Sequence, residues 1–177
     1  QIAVFADRDY EAQFRRGQCF IIEAIDDFDR RNCLVAPGGK PSIVLVGDSM
    51  AAHYWPGLSR HQDRYAISQA TMVGCRPLLY PADAGRRCEQ FFRQILLDRL
   101  TAPRPAVLVL SGSWQDSDMA QLGPTLAQLR KSAIPVLLVG PVPRYEEALP
   151  RLLVSATHFG QPDLVDHQDR LGLGRDG

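Results

Sequence analysis

Three short runs of this chain are almost wholly apolar and rich in β-branched residues. They are Ser42-Ile-Val-Leu-Val46, Ala106-Val-Leu-Val-Leu110 and Pro135-Val-Leu-Leu-Val139. A strand with one wet face alternates apolar and polar residues; a run without alternation must be covered on both faces, as in a parallel sheet. The stretches between these runs carry helical spacing. Residues 50–61 follow the first run, with Asp48 and Ser49 at their start. Residues 89–100 place Phe92, Ile95, Leu96 and Arg99 on one face, and residues 119–133 do the same with Leu122, Leu126 and Leu129. Residues 146–158 carry Pro150 near their first turn, where proline is tolerated. Residues 65–70 read as a shorter strand. Strands alternating with helices predict an α/β fold: a doubly wound, flavodoxin-like parallel sheet with helices on both faces. The simplest strand order is 2-1-3-4, numbering these four strands along the chain.

The organisation that follows is an irregular N-terminal extension over residues 1–40, an α/β domain over 41–160 and a polar tail over 161–177. Twenty Lys and Arg balance twenty Asp and Glu across the 177 residues, which speaks against a nucleic-acid partner. No run approaches the roughly 18 apolar residues that a membrane-spanning helix needs. The first ten residues hold Asp7, Arg8 and Asp9 and lack the apolar stretch of a secretory signal.

Four cysteines, Cys19, Cys33, Cys75 and Cys88, contain no C-x-x-C pair, so zinc-ribbon and thioredoxin patterns are not met. Proximity suggests the pairs Cys19 with Cys33 and Cys75 with Cys88; four buried free thiols are the alternative. Both pairs lie in polar, turn-like stretches, which favours disulfides and an oxidising compartment.

In a sheet of this kind, sites form beyond the carboxyl ends of the strands. The residues to inspect are Gly47-Asp48-Ser49, residues 71–75, Ser111 to Trp114, and residues 140–143. Ser49 stands at the mouth of the predicted helix, where backbone N–H groups would stabilise an oxyanion formed on its hydroxyl. The competing reading is that Asp48 or Ser49 simply caps the helix. Gly47-Asp-Ser-Met-Ala51 also approximates the nucleophile elbow of α/β-hydrolases, but that elbow follows several strands and only an irregular segment precedes Ser49. Phosphate-binding loops, H-E-x-x-H, EF-hand loops and G-x-G-x-x-G are absent from the sequence, so no metal or nucleotide cofactor is indicated.

Val44-Leu-Val-Gly47-Asp48-Ser49 resembles block I of the SGNH (GDSL-like) hydrolases. The wider run Gly47-Asp-Ser-Met-Ala-Ala-His-Tyr-Trp-Pro-Gly-Leu58, then Gly74-Cys-Arg-Pro-Leu78 and Cys88, resembles the SGNH domain fused to acyltransferase-3 membrane proteins. Gly17-Gln-Cys-Phe20, Cys33-Leu34, Val109-Leu-Ser-Gly-Ser-Trp114 and Val139-Gly-Pro-Val-Pro-Arg-Tyr145 fit the same pattern over about residues 15–165. The resemblance implies a surface-glycan O-acetyltransferase or esterase acting on lipopolysaccharide O-antigen, exopolysaccharide or peptidoglycan. It implies a periplasmic or extracellular site and an acyltransferase-3 transmembrane domain as partner. No cofactor would reside in this domain; acetyl-CoA would be the ultimate acyl donor, through the membrane domain.

By the same resemblance Ser49 matches the nucleophile and Gly74 an oxyanion-hole donor, with a plain turn as the alternative for Gly74. The block III asparagine is replaced by Ser111-Gly-Ser-Trp-Gln115, and Trp114 becomes a candidate substrate contact as well as a core or lid residue. The block V Asp-x-x-His motif has no match: none of His53, His61, His158 and His167 has Asp three residues before it. The expectation is a chain that stops before the catalytic histidine. His53, one helical turn from Ser49, and His167 are the remaining candidates for a base. A non-catalytic glycan-positioning module, with Trp114 and Tyr54 on the sugar, is the rival function.

Overall fold

The computed structural model describes residues 9–80, 87–101, 104–140, 145 and 147–167, the side chains of 10, 98–101, 166 and 167 excepted. The strand-end residues 141–143, the Arg99 side chain and the tail beyond 167 lie outside the described residues. The chain forms two compact units, one being Asp9–Gly140 and the other holding the helices that follow.

The larger unit is built on a five-stranded parallel sheet: β1 (Phe20–Ile21), β2 (Ser42–Gly47), β3 (Ala66–Met72), β4 (Val107–Ser111) and β5 (Val136–Val139), in the order β1-β3-β2-β4-β5. The four strands expected from the sequence thus lie in the expected 2-1-3-4 order. A fifth joins them from the segment read as irregular: Phe20 and Ile21 pair with Thr71 and Met72.

Along each central strand alternate side chains go to opposite faces. Val44, Val46, Ala70, Met72, Leu108 and Leu110 meet Phe91, Phe92, Ile95 and Leu96 of a long helix (Arg87–Thr101) and Leu129 of a second (Met119–Lys131). On the other face Leu45, Ile67 and Val109 meet Ala51 and Trp55. The inner strands β3, β2 and β4 are therefore covered on both sides. The edge strand β5 is not, since it pairs on one side only and leaves Leu137 54 % and Leu138 38 % exposed, contrary to the expectation from its apolar run.

Helix formation after β2 departs from expectation. Residues 50–61 do not make one helix but a turn of helix (Ser49–Ala52), a second (Trp55–Leu58) and a 3-10 turn (Ser59–His61). Pro56 has no N–H to donate to the Ala52 carbonyl, so the first helix cannot continue through it. The chain restarts at Trp55 with Pro56 in its opening turn.

A short helix before β1 (Tyr10–Phe14) is capped by Asp9, and a second, between β1 and β2 (Arg30–Cys33), by Asp29. Among the described residues the helices of this unit are α1 (Tyr10–Phe14), α2 (Arg30–Cys33), α3 (Ser49–Ala52), α4 (Trp55–Leu58), α5 (Arg87–Thr101) and α6 (Met119–Lys131). Both cysteine pairs are disulfides: Cys19–Cys33, with Cα atoms 5.4 Å apart, and Cys75–Cys88, at 5.2 Å.

The second unit contains α7 (Leu149–Phe159), which starts with Pro150 in its first turn and buries Leu152 and Ala156, and α8 (Leu164–His167). Among the described residues no helix is long and apolar enough to cross a membrane.

Candidate active site

The site is set by how β2 ends. Gly47 lies between Thr71 of β3 and Ser111 of β4 in register. A Cβ on Gly47 would stand 1.7 Å from the Ser111 carbonyl oxygen and 2.7 Å from the Ala51 Cβ. Only glycine lets β4 and α3 approach the chain this closely at the carboxyl edge of the sheet.

Asp48 follows, with 1 % of its surface exposed. One carboxylate oxygen accepts from the Met50 N–H at 2.8 Å, capping α3. The other accepts from the Ser113 N–H at 2.7 Å, on the loop after β4. The cap is thus supplied by Asp48, and Ser49 is released from that role. Ser49 opens α3 half-buried, and among the described residues nothing donates to or accepts from its Oγ. Because α3 is one turn long, the dipole expected of a longer helix is reduced to that of a few peptide units.

Gly74 lies on the same edge, two residues past the end of β3. It adopts φ +66° in a turn closed by the Cys75 N–H on the Met72 carbonyl at 3.1 Å. That is left-handed backbone, where glycine is favoured. Gly74 is exposed, and among the described residues nothing accepts from its N–H. The next residue but one, Arg76, places Nε 3.0 Å from an Asp118 oxygen, and Asp118 is 2 % exposed. Asp118 also accepts from the Gln115 N–H at 2.8 Å.

Trp114, half-buried, donates its indole N–H to the carbonyl of Val139 at 2.7 Å and so spans the ends of β4 and β5. This fixes one edge of the ring and leaves part of it open.

His53 ends α3, with its ring 4.8 Å from that of Phe14 in a tilted arrangement. Burial holds its pKa below the 6.5 of a free imidazole, against the opposing pull of the Asp48 carboxylate. The imidazole is therefore neutral at pH 7, as a base must be. No hydrogen bond joins it to Ser49 Oγ among the described residues. Phe14 is held from the sheet side as well, its carbonyl accepting from Gln69 Nε2 at 3.0 Å, while Arg15 lies 4.5 Å over the Trp55 ring. His167 ends α8 in the other unit, and its side chain is outside the described residues.

The structure therefore brings Ser49, Gly74 and Trp114 to one sheet edge and puts His53 one turn from Ser49. Sequence reasoning picked out the stretch holding Ser113 but not its bond to Asp48, and it missed Arg76 with Asp118 and Phe14 against His53. Arg76 stands inside the Gly74-Cys-Arg-Pro-Leu78 run, so a signal for it existed; Asp118, in the polar run Gln115-Asp-Ser-Asp118, gave none. A hollow of about 320 Å³ lined by Leu126, Arg130, Ile134 and Val136 lies at the opposite, amino end of β5 and is not part of this site. Among the described residues no group of three or more His, Cys, Asp or Glu is placed to hold a metal.

A parallel, doubly wound sheet with a serine at the turn after its central strand defines an SGNH-like α/β domain. Residues 18–172 match the family model described as the SGNH domain (fused to AT3 domains), and the chain belongs to that family. Among solved structures it is similar to the periplasmic domain of the Salmonella ser. Paratyphi A lipopolysaccharide acetyltransferase. The TM-score is 0.66 at 23 % identity, over 88 % of this chain and 67 % of that one. A search of curated proteins gives no match.

Proposed function

We propose that this domain passes an acetyl group through Ser49 to a hydroxyl of a bacterial cell-surface glycan. The acceptor is lipopolysaccharide O-antigen, exopolysaccharide or peptidoglycan, and water in an esterase side reaction. The observation that carries the reading is the Ser49 hydroxyl at the carboxyl end of the central strand, without a hydrogen-bond partner among the described residues, half-buried and relieved of capping by Asp48.

In this reading Ser49 Oγ attacks the acetyl carbonyl carbon. The Oγ–C bond forms, the hydroxyl proton goes to a base, and the donor's leaving group departs and takes a proton. A sugar hydroxyl then attacks acetyl-Ser49, its oxygen gains the acetyl group, and a proton returns to Ser49 Oγ. The oxyanion of each step would be met by the Gly74 N–H. The base is a histidine, with His53 and His167 as the candidates in this chain. The acetyl group comes ultimately from acetyl-CoA, through an acyltransferase-3 membrane domain. The domain works on the periplasmic or extracellular face, a placement supported by its two disulfides and by its similarity to a periplasmic domain.

One observation favours a second reading, a glycan-positioning module without chemistry: no imidazole among the described residues hydrogen-bonds Ser49. The experiment separates the two. The protein of the full open reading frame is treated with a fluorophosphonate and assayed on an acetyl ester. The catalytic reading expects label on Ser49 and loss of turnover in S49A. Glycan binding with neither label nor turnover establishes the second.

A further inference from the structure

The loop after β3 is fastened on two sides. On one, Cys75 is bonded to Cys88 of α5, and Leu79 donates its N–H to Thr125 Oγ1 of α6 at 2.9 Å. On the other, Arg76 reaches across to the loop after β4. Its Nε meets both oxygens of Asp118, at 3.1 and 3.0 Å. Its stem passes so close over Gly112 that a Cβ there would stand 3.1 Å from Arg76 Cγ and 3.6 Å from Asp48 Oδ2. Gly112 precedes Ser113, whose N–H is held by Asp48. An unbroken series of contacts therefore runs from Gly74, through Arg76 and the β4 loop, to the residue before Ser49.

We propose that Arg76 is a positioning residue of this site: seated on the buried carboxylate of Asp118, it fixes the Gly74 turn against the β4 loop and so sets where the Gly74 N–H stands relative to Ser49 Oγ. The inference rests on the reading of Ser49 as the nucleophile. An ion pair in the open would be a poor clamp, because solvent screens it and both side chains are free to leave. Asp118 is 2 % exposed and the Arg76 side chain 26 %, and the carboxylate is also engaged by the Gln115 N–H, so neither partner has an alternative of equal worth. An oxyanion donor acts only within a few tenths of an ångström of its place, and a displacement of about 1 Å costs up to 10²-fold in rate.

The test uses the protein of the full open reading frame as wild type, R76Q, R76K, D118N and S49A. Acetyl-ester turnover is measured and divided by the Ser49 sites titrated with fluorophosphonate. R76Q and D118N are expected to lower kcat per titrated site about tenfold or more, with KM within about twofold of wild type. R76K, which keeps the charge but not the planar fork, is expected to fall between them and wild type. Should R76Q fail to fold, D118N and R76K, nearly unchanged in volume, carry the comparison. Wild-type kcat per site in D118N and R76K, whatever the melting temperature, overturns the proposal, as does an effect on KM alone. Absence of label on wild-type Ser49, or full turnover in S49A, overturns the underlying reading instead and removes the Arg76 role with it.

Discussion

The Asp48 carboxylate accepts from the backbone N–H of Ser113 at 2.7 Å, across the gap between the turn after β2 and the loop after β4. The same side chain caps α3 through Met50. Asp48→Ala would remove a cap and leave a partly buried N–H without a partner. The two losses together amount to about 2–4 kcal/mol of stability. Asp48→Asn keeps one acceptor oxygen and is expected to lose about half as much. Urea denaturation checks both, and a D48A midpoint equal to wild type would contradict the clamp.

Gly47→Ala places a methyl group where the Ser111 carbonyl oxygen already lies. The obstruction is backbone, in the middle of the sheet, so neither β2 nor β4 can yield without breaking its pairing with the other. The expected cost is about 4 kcal/mol or more, in the range reserved for core disruption. The measurement is the thermal melt of whatever G47A protein is soluble; a melt within about 3 °C of wild type would refute it.

How much of this was readable beforehand varies with the kind of signal. β2 and β4 were legible because burial on both faces leaves an apolar run. β5 carries such a run although Leu137 and Leu138 are exposed at the sheet edge, and β3, with Ser68, Gln69 and Thr71 in it, showed only as a shorter stretch. The order of the four followed from the commonest winding. β1 was not, because two residues carry no period; its place is fixed by pairing with Thr71 and Met72 and by the adjacent Cys19–Cys33 bond. The broken helix after Ser49 had a visible cause in Pro56, which the apolar spacing of the segment overrode. Asp118 was invisible for a different reason. Its burial depends on Arg76, 42 residues earlier, and no local pattern encodes a partner at that distance.

The two disulfides are expected to separate stability from function. Each closes a loop of similar length, 14 and 13 residues in separation, so removing either costs about 3 kcal/mol in the chain-entropy account. Cys75 follows Gly74 directly, whereas the other bond joins the β1 flank to α2. C75S/C88S is therefore expected to lower acetyl-ester kcat per folded molecule, and C19S/C33S only the melting temperature. Equal kcat in the two double variants would show that the Gly74 turn does not need the bond.

His53 gives the chain a pH dependence whose sign can be worked out. Its folded pKa lies below the 6.5 of the free group, chiefly through burial. Between those two values the unfolded chain binds the extra proton and the native one does not. The contribution of His53 is therefore fully present above about pH 6.5 and is lost as pH falls toward the folded pKa. Two neighbours pull in opposite directions. Phe14, whose ring lies 4.8 Å away, shields the imidazole, so F14A should raise the pKa toward 6.5. Asp48 favours the charged form, so D48N should lower it further. An NMR titration of the His53 ring in the wild type and both variants tests the three values together. A wild-type midpoint at or above 6.5, or both variants shifting in the same direction, would contradict an imidazole governed by burial against the pull of Asp48.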